Sequence, residues 1–496
     1  MSDLVLAIDQ GTTGSTIALM DVNGRLLTSV NHEFPQHFPK PGWVEHDPEA
    51  IWESVLKGLT AIFADGTHSA EAVSAIGITN QRETAVLWDA QTGRALYNAI
   101  VWQCRRTTDV CEKLKADGHE ALIKARSGLV LDPYFSATKF KWLLDNAPDA
   151  QALLAQGRLR AGTIDSYLIW RLSAGRAHKT DVSNASRTSL MALDNLCWDD
   201  ELLSIFGVPR AILPEICPSS GRFAVTSGVA GLPDGLPISG VAGDQQSALF
   251  GQACFEVGDA KCTFGTGSFI LMNAGDTPVA SDSGLLSTIA WQLDGQSAVY
   301  ALEGGAFVCG AAVQWLRDQL CIIKSAPEVE ALAQTVEDAG GVEFVPALAG
   351  LGAPYWAPEA RGTLTGLTRG SGRGEIARAT LDAMALQNVD ILKAMENDIG
   401  NSMQSLKVDG GASANNFLMQ LQADYLARPI IRPEVIETTV AGACFLAGIG
   451  EGVWDSPNEV AKVWRSDRSF TVEMTDAARA VRLVSWQSAV AKTLQT

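Results

Sequence analysis

Basic residues are scarce in this chain. Against 56 Asp and Glu there are 38 Lys and Arg, a net charge of −18 over 496 residues. Such a surface repels a phosphate backbone, which excludes a general nucleic-acid binder. Any phosphate site must be local, built from backbone N–H groups, a few cations or a metal ion. No stretch reaches the roughly 18 apolar residues of a membrane span, so no membrane insertion is expected. The opening Met1–Asp9 has no basic run, and its short apolar core ends in a carboxylate; a strand is expected there rather than a signal peptide. The nine cysteines are scattered without a C-x-x-C pair, and none of the six histidines stands at zinc-ligand spacing from one. Reduced thiols in a cytoplasmic protein without structural zinc are expected. A Walker loop and a Rossmann fingerprint are also missing.

What is present is apolar bulk: 47% hydrophobic residues, enough for large cores and two to four domains at this length. Leu4–Asp9 reads as a strand, Gln10–Ser15 as a small hydroxyl-rich turn, and Ile17–Asp21 as a second strand closed by an Asn23-Gly24 hairpin signal. The spacing of Ile51, Val55, Leu59 and Ile62 predicts a helix over 49–63, and strands are expected at 75–79 and 85–88. Strands mixed with helices imply an α/β architecture.

The opening pattern returns at mid-chain. Gly265-Thr266-Gly267-Ser268 aligns with the turn at Gly11–Ser15, 254 positions earlier, and the strands that follow share Ile, Leu and Met. This points to an internal duplication, two α/β lobes whose turns face each other across a cleft, a favoured ligand position. Chance likeness of two Gly/Thr-rich hairpins is the alternative.

A strand ending in Asp9, followed by Thr12, Thr13 and Gly14, presents N–H groups and hydroxyls to phosphate oxygens, and Asp9 is a candidate ligand for a metal ion, directly or through water. Val408–Ser413 is a second strand–glycine turn; it either lets a nucleotide approach at Gly411 or serves only the turn geometry. Taken singly, other candidates have plain structural readings. Asp244 is a suitable N-cap for a helix starting near Gln245. Arg82-Glu83 reads equally as a surface pair. Trp102 and Phe269 read equally as packing residues.

Two longer patterns decide between these readings. Tyr134-x-Ser136-x-x-Lys139-Phe140-x-Trp142-Leu143-x-Asp145-Asn146 and Gly362-x-Leu364-x-Gly366-Leu367, with Glu375–Asp382 after it, resemble the two signatures of the FGGY family of carbohydrate kinases. The likeness runs from Leu4 to about Trp464. It implies two actin-like, ribonuclease-H-like lobes, here residues 1–250 and 251–496, with ATP and its acceptor between them. Arg82, Glu83, Trp102, Tyr134, Asp244, Gln245 and Phe269 resemble the acceptor set of the members that phosphorylate glycerol to sn-glycerol 3-phosphate, the entry step of glycerol catabolism. The resemblance further implies Asp244 as catalytic base, ATP with Mg2+ as cofactors, and a homodimer or homotetramer. Thr12, Thr13, Gly14, Thr16, Thr266, Gly310, Gln314, Gly411 and Asn415 are the implied nucleotide and phosphate contacts. Thr16 departs from the pattern, since many such members carry Arg there. The segment Gly221–Gly240 lacks both the Gly-Gly-x-Arg loop and the phosphorylated His found in regulated members, so neither regulation is expected. A kinase for another small polyol or keto-sugar, and a non-enzymatic actin-like assembly protein, are the alternatives.

Overall fold

The computed structural model describes residues 4–495. The strands of its two large sheets are β1 (Leu4–Gln10), β2 (Gly14–Asp21), β3 (Leu26–Glu33), β4 (Val73–Asn80), β5 (Ser220–Val225) and β6 (Pro237–Gly243), then β7 (Ala260–Phe264), β8 (Ser268–Gly275), β9 (Leu286–Gln292), β10 (Ala298–Ala306), β11 (Leu406–Asp409), β12 (Ile430–Pro433) and β13 (Ser466–Phe470). The first six form one sheet in the order β5-β6-β4-β1-β2-β3; the remaining seven form another in the order β9-β10-β8-β7-β11-β12-β13.

The two sheets repeat one plan. β1, β2 and β3 run as an antiparallel meander, β4 lies parallel to β1, and β6 lies parallel to β4. In the second sheet β7, β8 and β10 form the meander, β11 lies parallel to β7, and β12 parallel to β11. The repeat seen as G-T-G-S in the sequence is therefore a repeat of strand order and direction, with Gly11 and Gly265 in equivalent turns. The strand expected at 85–88 runs Val86–Asp89 and lies outside both sheets, paired with Leu159–Gly162.

The helices that position the site are α1 (Pro48–Ala61), α2 (Ser136–Asn146), α3 (Ile164–Leu172), α4 (Val182–Ala185), α5 (Asp244–Gly251), α6 (Gly310–Asp318), α7 (Arg373–Ile399), α8 (Asn416–Leu426) and α9 (Thr438–Gly450). Alternation along each strand sends its side chains to opposite faces. Leu6, Ile8, Ile17 and Leu19 face outward into a core with α1 and α3. Val5, Ala7, Ala18 and Met20 face inward and meet α5, α9 and Leu271 of the second sheet. On that sheet's outer side Cys262, Phe264, Ile270 and Met272 pack on α7 and α8. The layers are thus helix, sheet, helix pair, sheet, helix, with α5 and α9 as the central pair.

Small side chains set how close that pair lies. A Cβ on Gly442 of α9 would stand 1.8 Å from the carbonyl oxygen of Ser247 on α5, so no other residue fits without moving backbone. α9 belongs to the last part of the chain yet packs on β1, β4 and β6 of the first sheet, a placement that loop lengths alone do not announce.

Candidate active site

The inward ends of β1 and β7 converge on the N-terminus of α5. β1 delivers Asp9, half-buried, and the turn after it holds Thr12 half-buried and Thr13 exposed. The turn is closed by Gly11 N–H donating to the carbonyl of Gly14 (2.9 Å), the first residue of β2. Thr16 pairs with Asp9 across the strands and so shares its face; its hydroxyl accepts from Asn31 Nδ2 at 2.9 Å. Asp9 accepts no hydrogen bond among the described residues. Enclosure, and then the nearby Asp244 carboxylate, push its pKa up to about 7. An unbonded carboxylate beside a second one is a donor set that a divalent cation stabilises. No group of three or more His, Cys, Asp or Glu gathers here among the described residues. Mg2+ suits such a site, since it keeps waters and takes most of its remaining ligands from phosphate oxygens.

Asp244 is the first residue of α5, and Gly243 occupies the cap position, so the N-cap role open in the sequence is not taken. Its Oδ1 accepts from the N–H of Gln245 at 2.7 Å and lies 3.2 Å from Arg82 Nε, while its side chain stays 33% exposed to the cleft. Gly243 is required here: a Cβ would meet Arg82 Cγ and Cδ at 2.7 Å. Its N–H donates to Ser183 Oγ of α4 at 3.0 Å, which fixes the approach to the helix.

Arg82 and Glu83 are buried, at 3% and 1% exposure, so the surface-pair reading fails. Both terminal nitrogens of Arg82 are spent on hydrogen bonds. Nη1 donates to Gln246 Oε1 (3.2 Å) and Glu303 Oε2 (2.5 Å); Nη2 donates to Glu303 Oε1 (3.0 Å) and Tyr134 Oη (3.3 Å); Nε faces Asp244. Glu83 sits at φ +60°, a strained position for a residue with a Cβ, and accepts from Arg187 Nε at 2.7 Å. Burial raises the Glu83 pKa against the pull of both arginines. Burial also opposes the charge on Glu303, but Arg187 and Arg82 overcome it and hold its pKa down at about 2.

Aromatic rings wall the same space. Trp102 is half-buried, donates from Nε1 to Thr12 Oγ1 at 3.1 Å, and meets Tyr134 edge-on at 5.7 Å between centroids. Tyr134 is held by its loop: Lys139 Nζ, buried at the start of α2, donates to the carbonyls of Pro133, Tyr134 and Phe135. Burial lowers the Lys139 pKa to about 8. Phe269 comes from β8, opposite Thr263 and Gly305 on the inward face of the second sheet.

From that sheet Lys261, fully buried, reaches Gln245 Oε1 and bonds Thr263 Oγ1 at 2.8 Å. Burial lowers its pKa against the pull of Asp409 and Asp244. Thr266 lies exposed in the second turn; its carbonyl accepts from Cys309 N (2.8 Å) and Ala311 N (3.0 Å), seating the turn on α6, where Gly310 N–H bonds Gly265 O at 2.9 Å. Gln314 is exposed on α6, and Gly411 is exposed with open space where a Cβ would lie. Asn415 caps α8 by accepting from Leu418 N (2.8 Å), and among the described residues its Nδ2 donates to no partner. Among the described residues no hydrogen bond joins Gln314, Gly411 or Asn415 to Arg82, Glu83, Trp102, Tyr134 or Asp244. A cavity of about 490 Å³ opens elsewhere, between the β2–β3 turn and Trp464; none of the candidate residues lines it.

Sequence reasoning missed Glu303, Arg187 and Lys261. The available signal was a charge inside an apolar strand: Glu303 is the single charged residue of β10, and Lys261 of β7.

A ribonuclease-H-like pair of sheets, with a carboxylate at a helix start between them and hydroxyl-rich turns on either side, defines a phosphotransferase of the sugar-kinase kind. The FGGY family of carbohydrate kinases matches in both its parts, the N-terminal domain over residues 4–251 and the C-terminal domain over 260–451. The chain belongs to this family. It is 58% identical to a glycerol kinase of Bdellovibrio bacteriovorus, over 99% of each chain, and 54% identical to one of Symbiobacterium thermophilum, over 98% of this chain and 97% of that one. Among solved structures, Plasmodium falciparum glycerol kinase with ADP superposes with a TM-score of 0.93 at 36% identity, covering 99% of this chain and 98% of that one. A gluconate kinase from Lactobacillus acidophilus, 22% identical with a TM-score of 0.87, shares the fold.

Proposed function

We infer that this chain transfers the terminal phosphoryl group of ATP to glycerol, giving sn-glycerol 3-phosphate, with Mg2+ as the metal. Near-full-length relatives that bear this activity in their names support it. The observation in the site that carries the reading is Asp244, a carboxylate fixed by Arg82 at the start of α5 and open to the cleft.

Asp244 accepts the proton of the attacking primary hydroxyl, as a kinase carboxylate does. Glu83, Tyr134 and Gln245 hydrogen-bond the acceptor's hydroxyls, and Trp102 with Phe269 covers its C–H face. Both terminal nitrogens of Arg82 are engaged, so an acceptor oxygen reaches that fork only by displacing a contact, the longest being the one to Tyr134 Oη. A site built around hydroxyls penalises analogues that lack one, because its buried polar groups are then unpaired. Asp9 holds Mg2+, which supplies charge neutralisation to the phosphate oxygens. Thr12, Thr13, Gly14 and Thr16 cradle the phosphates from the first lobe (1–250) and Thr266 from the second (251–496), whose Gly310, Gln314, Gly411 and Asn415 line the nucleotide. Closure of the lobes excludes water, the competing nucleophile.

Nine unpaired thiols suit a reducing cytoplasm, where the enzyme works as a homodimer or homotetramer. ADP release measured against a panel of acceptors tests the reading. Glycerol is expected to give the highest kcat/KM; ADP release indifferent to glycerol would overturn it.

A further inference from the structure

The acceptor cradle depends on a residue that never faces the acceptor. Arg82 follows β4 of the first sheet, whereas Glu303 lies on β10 of the second. The two are nonetheless paired fork to fork, Glu303 Oε2 on Nη1 and Oε1 on Nη2. Oε1 also accepts from Arg187 Nη2 at 2.9 Å, and Arg187 returns through Nε to Glu83. All four side chains are buried to 3% exposure or less. The result is a closed ring of two guanidinium and two carboxylate groups spanning both sheets.

We propose that Glu303 is a positioning residue for phosphoryl transfer: by gripping the Arg82 fork it turns only the Nε edge toward Asp244, and so keeps the base both oriented and available. A bidentate pair fixes the plane of the guanidinium as well as its place. With that plane set, the Nε edge meets one oxygen of Asp244 and the other stays open to the cleft. Take Glu303's charge away and the nearest anions to Arg82 are Asp244 and Glu83. Arg82 then swings its fork onto Asp244, covering the oxygens that must receive the hydroxyl proton. The anchor itself is firm, since the strand beyond it is wedged: a Cβ on Gly304 would strike Ile391 Cγ2 at 2.5 Å, and one on Gly305 would press on Phe269 at 3.1 Å. Because the ring crosses from sheet to sheet, any shift between the lobes moves Glu303 relative to Arg82. Acceptor binding and lobe disposition are thereby thermodynamically linked.

The proposal rests on the phosphorylation reading, and one experiment separates the two. Glycerol-dependent ADP release is measured for the parent chain, Glu303→Gln, Glu303→Asp and Arg187→Lys, with ADP affinity measured by calorimetry on the same samples. The expected result for Glu303→Gln is a fall of about 10²–10³ in kcat/KM for glycerol, the range for removing one member of a buried charge pair. Most of the fall lies in kcat, and ADP affinity stays within about twofold, since no nucleotide contact is altered. Glu303→Asp, which keeps the charge, recovers about tenfold of the loss, and Arg187→Lys loses about tenfold from the parent. A Glu303→Gln variant within about threefold of the parent, or one losing ADP affinity in step with kcat, overturns the positioning role. If Glu303→Gln does not fold, Arg187→Lys decides; parent-like turnover there, or failure of both to fold, overturns it as well. A parent chain inert to glycerol sinks the phosphorylation reading instead.

Discussion

At the end of β1 the first sheet carries Asp9; at the equivalent place the second sheet carries Thr263, with Lys261 where the first has Ala7. The asymmetry reverses one strand over. Opposite Asp9 on β4 stands Thr79, and opposite Thr263 on β11 stands Asp409. Among the described residues the Asp9 carboxylate has no hydrogen-bond donor, while that of Asp409 accepts from Thr438 Oγ1 at 2.7 Å and Gln252 Nε2 at 3.0 Å. One backbone plan thus presents a bare carboxylate on one side of the cleft and a satisfied carboxylate with a buried ammonium on the other. The two sheets share the strand order that aims residues into the crevice but differ in the side chains they present there.

The widest break in that comparison comes from the proposed base between the sheets. Asp244→Asn is expected to lower kcat by about 10²–10⁴ with ADP affinity little changed; near-parent turnover removes Asp244 from its role. Asp9→Asn follows, with a loss of about 10²–10³, the scale of removing one electrostatic contributor to the transition state. A pH signature accompanies it. Because the Asp9 carboxyl is raised to about 7, it is largely protonated at pH 6 and largely ionised at pH 8, and cation binding must displace that proton. Less Mg2+ is therefore needed for half-maximal activity at pH 8 than at pH 6, and Mg2+ titrations at both pH values check this. The stability sign runs the other way. A carboxyl whose pKa is higher folded than unfolded adds stability below its unfolded pKa of about 3.8, and that contribution is lost as pH rises to about 7. In metal-free protein, Asp9→Asn is expected to flatten the thermal midpoint over that window.

Trp102→Ala is expected to raise KM for glycerol about tenfold with a smaller change in kcat, as loss of a binding wall does; an unchanged KM places the indole outside the acceptor space. The mildest change touches the helix pair. Gly442→Ala drives a methyl into Ser247 O and is expected to cost about 1–3 kcal/mol, read as a lower urea midpoint, with KM values preserved. Selective loss of ADP affinity there instead would show that the central pair shapes the nucleotide side alone.

How much of this was legible follows from where the signals lie. Turn chemistry is local, so Gly11 and Gly265 disclosed the repeat, and a strand ending in a carboxylate disclosed Asp9. Asp244 emerged only through resemblance, because an Asp before a helix has an ordinary capping use. The ring of Arg82, Arg187, Glu83 and Glu303 joins positions up to 221 residues apart. Nothing periodic ties them, and only burial, invisible in composition, turns a pair that reads as surface into the centre of the site. Nor did the sequence disclose that α9 leaves its own half to cover β1 and β4.

That last exchange has a practical outcome. A fragment stopping at Gly251 would keep all six strands of its sheet but bare Val5, Ala7, Ala18 and Met20 to water. Part of the missing cover is Leu271 and its neighbours on the second sheet, and the rest is mainly a helix of 13 residues made some 190 positions later. Synthesis on the ribosome therefore leaves an open greasy face until nearly the whole polypeptide has emerged, and a nascent chain of this design has reason to meet a chaperone before it meets its partner helix.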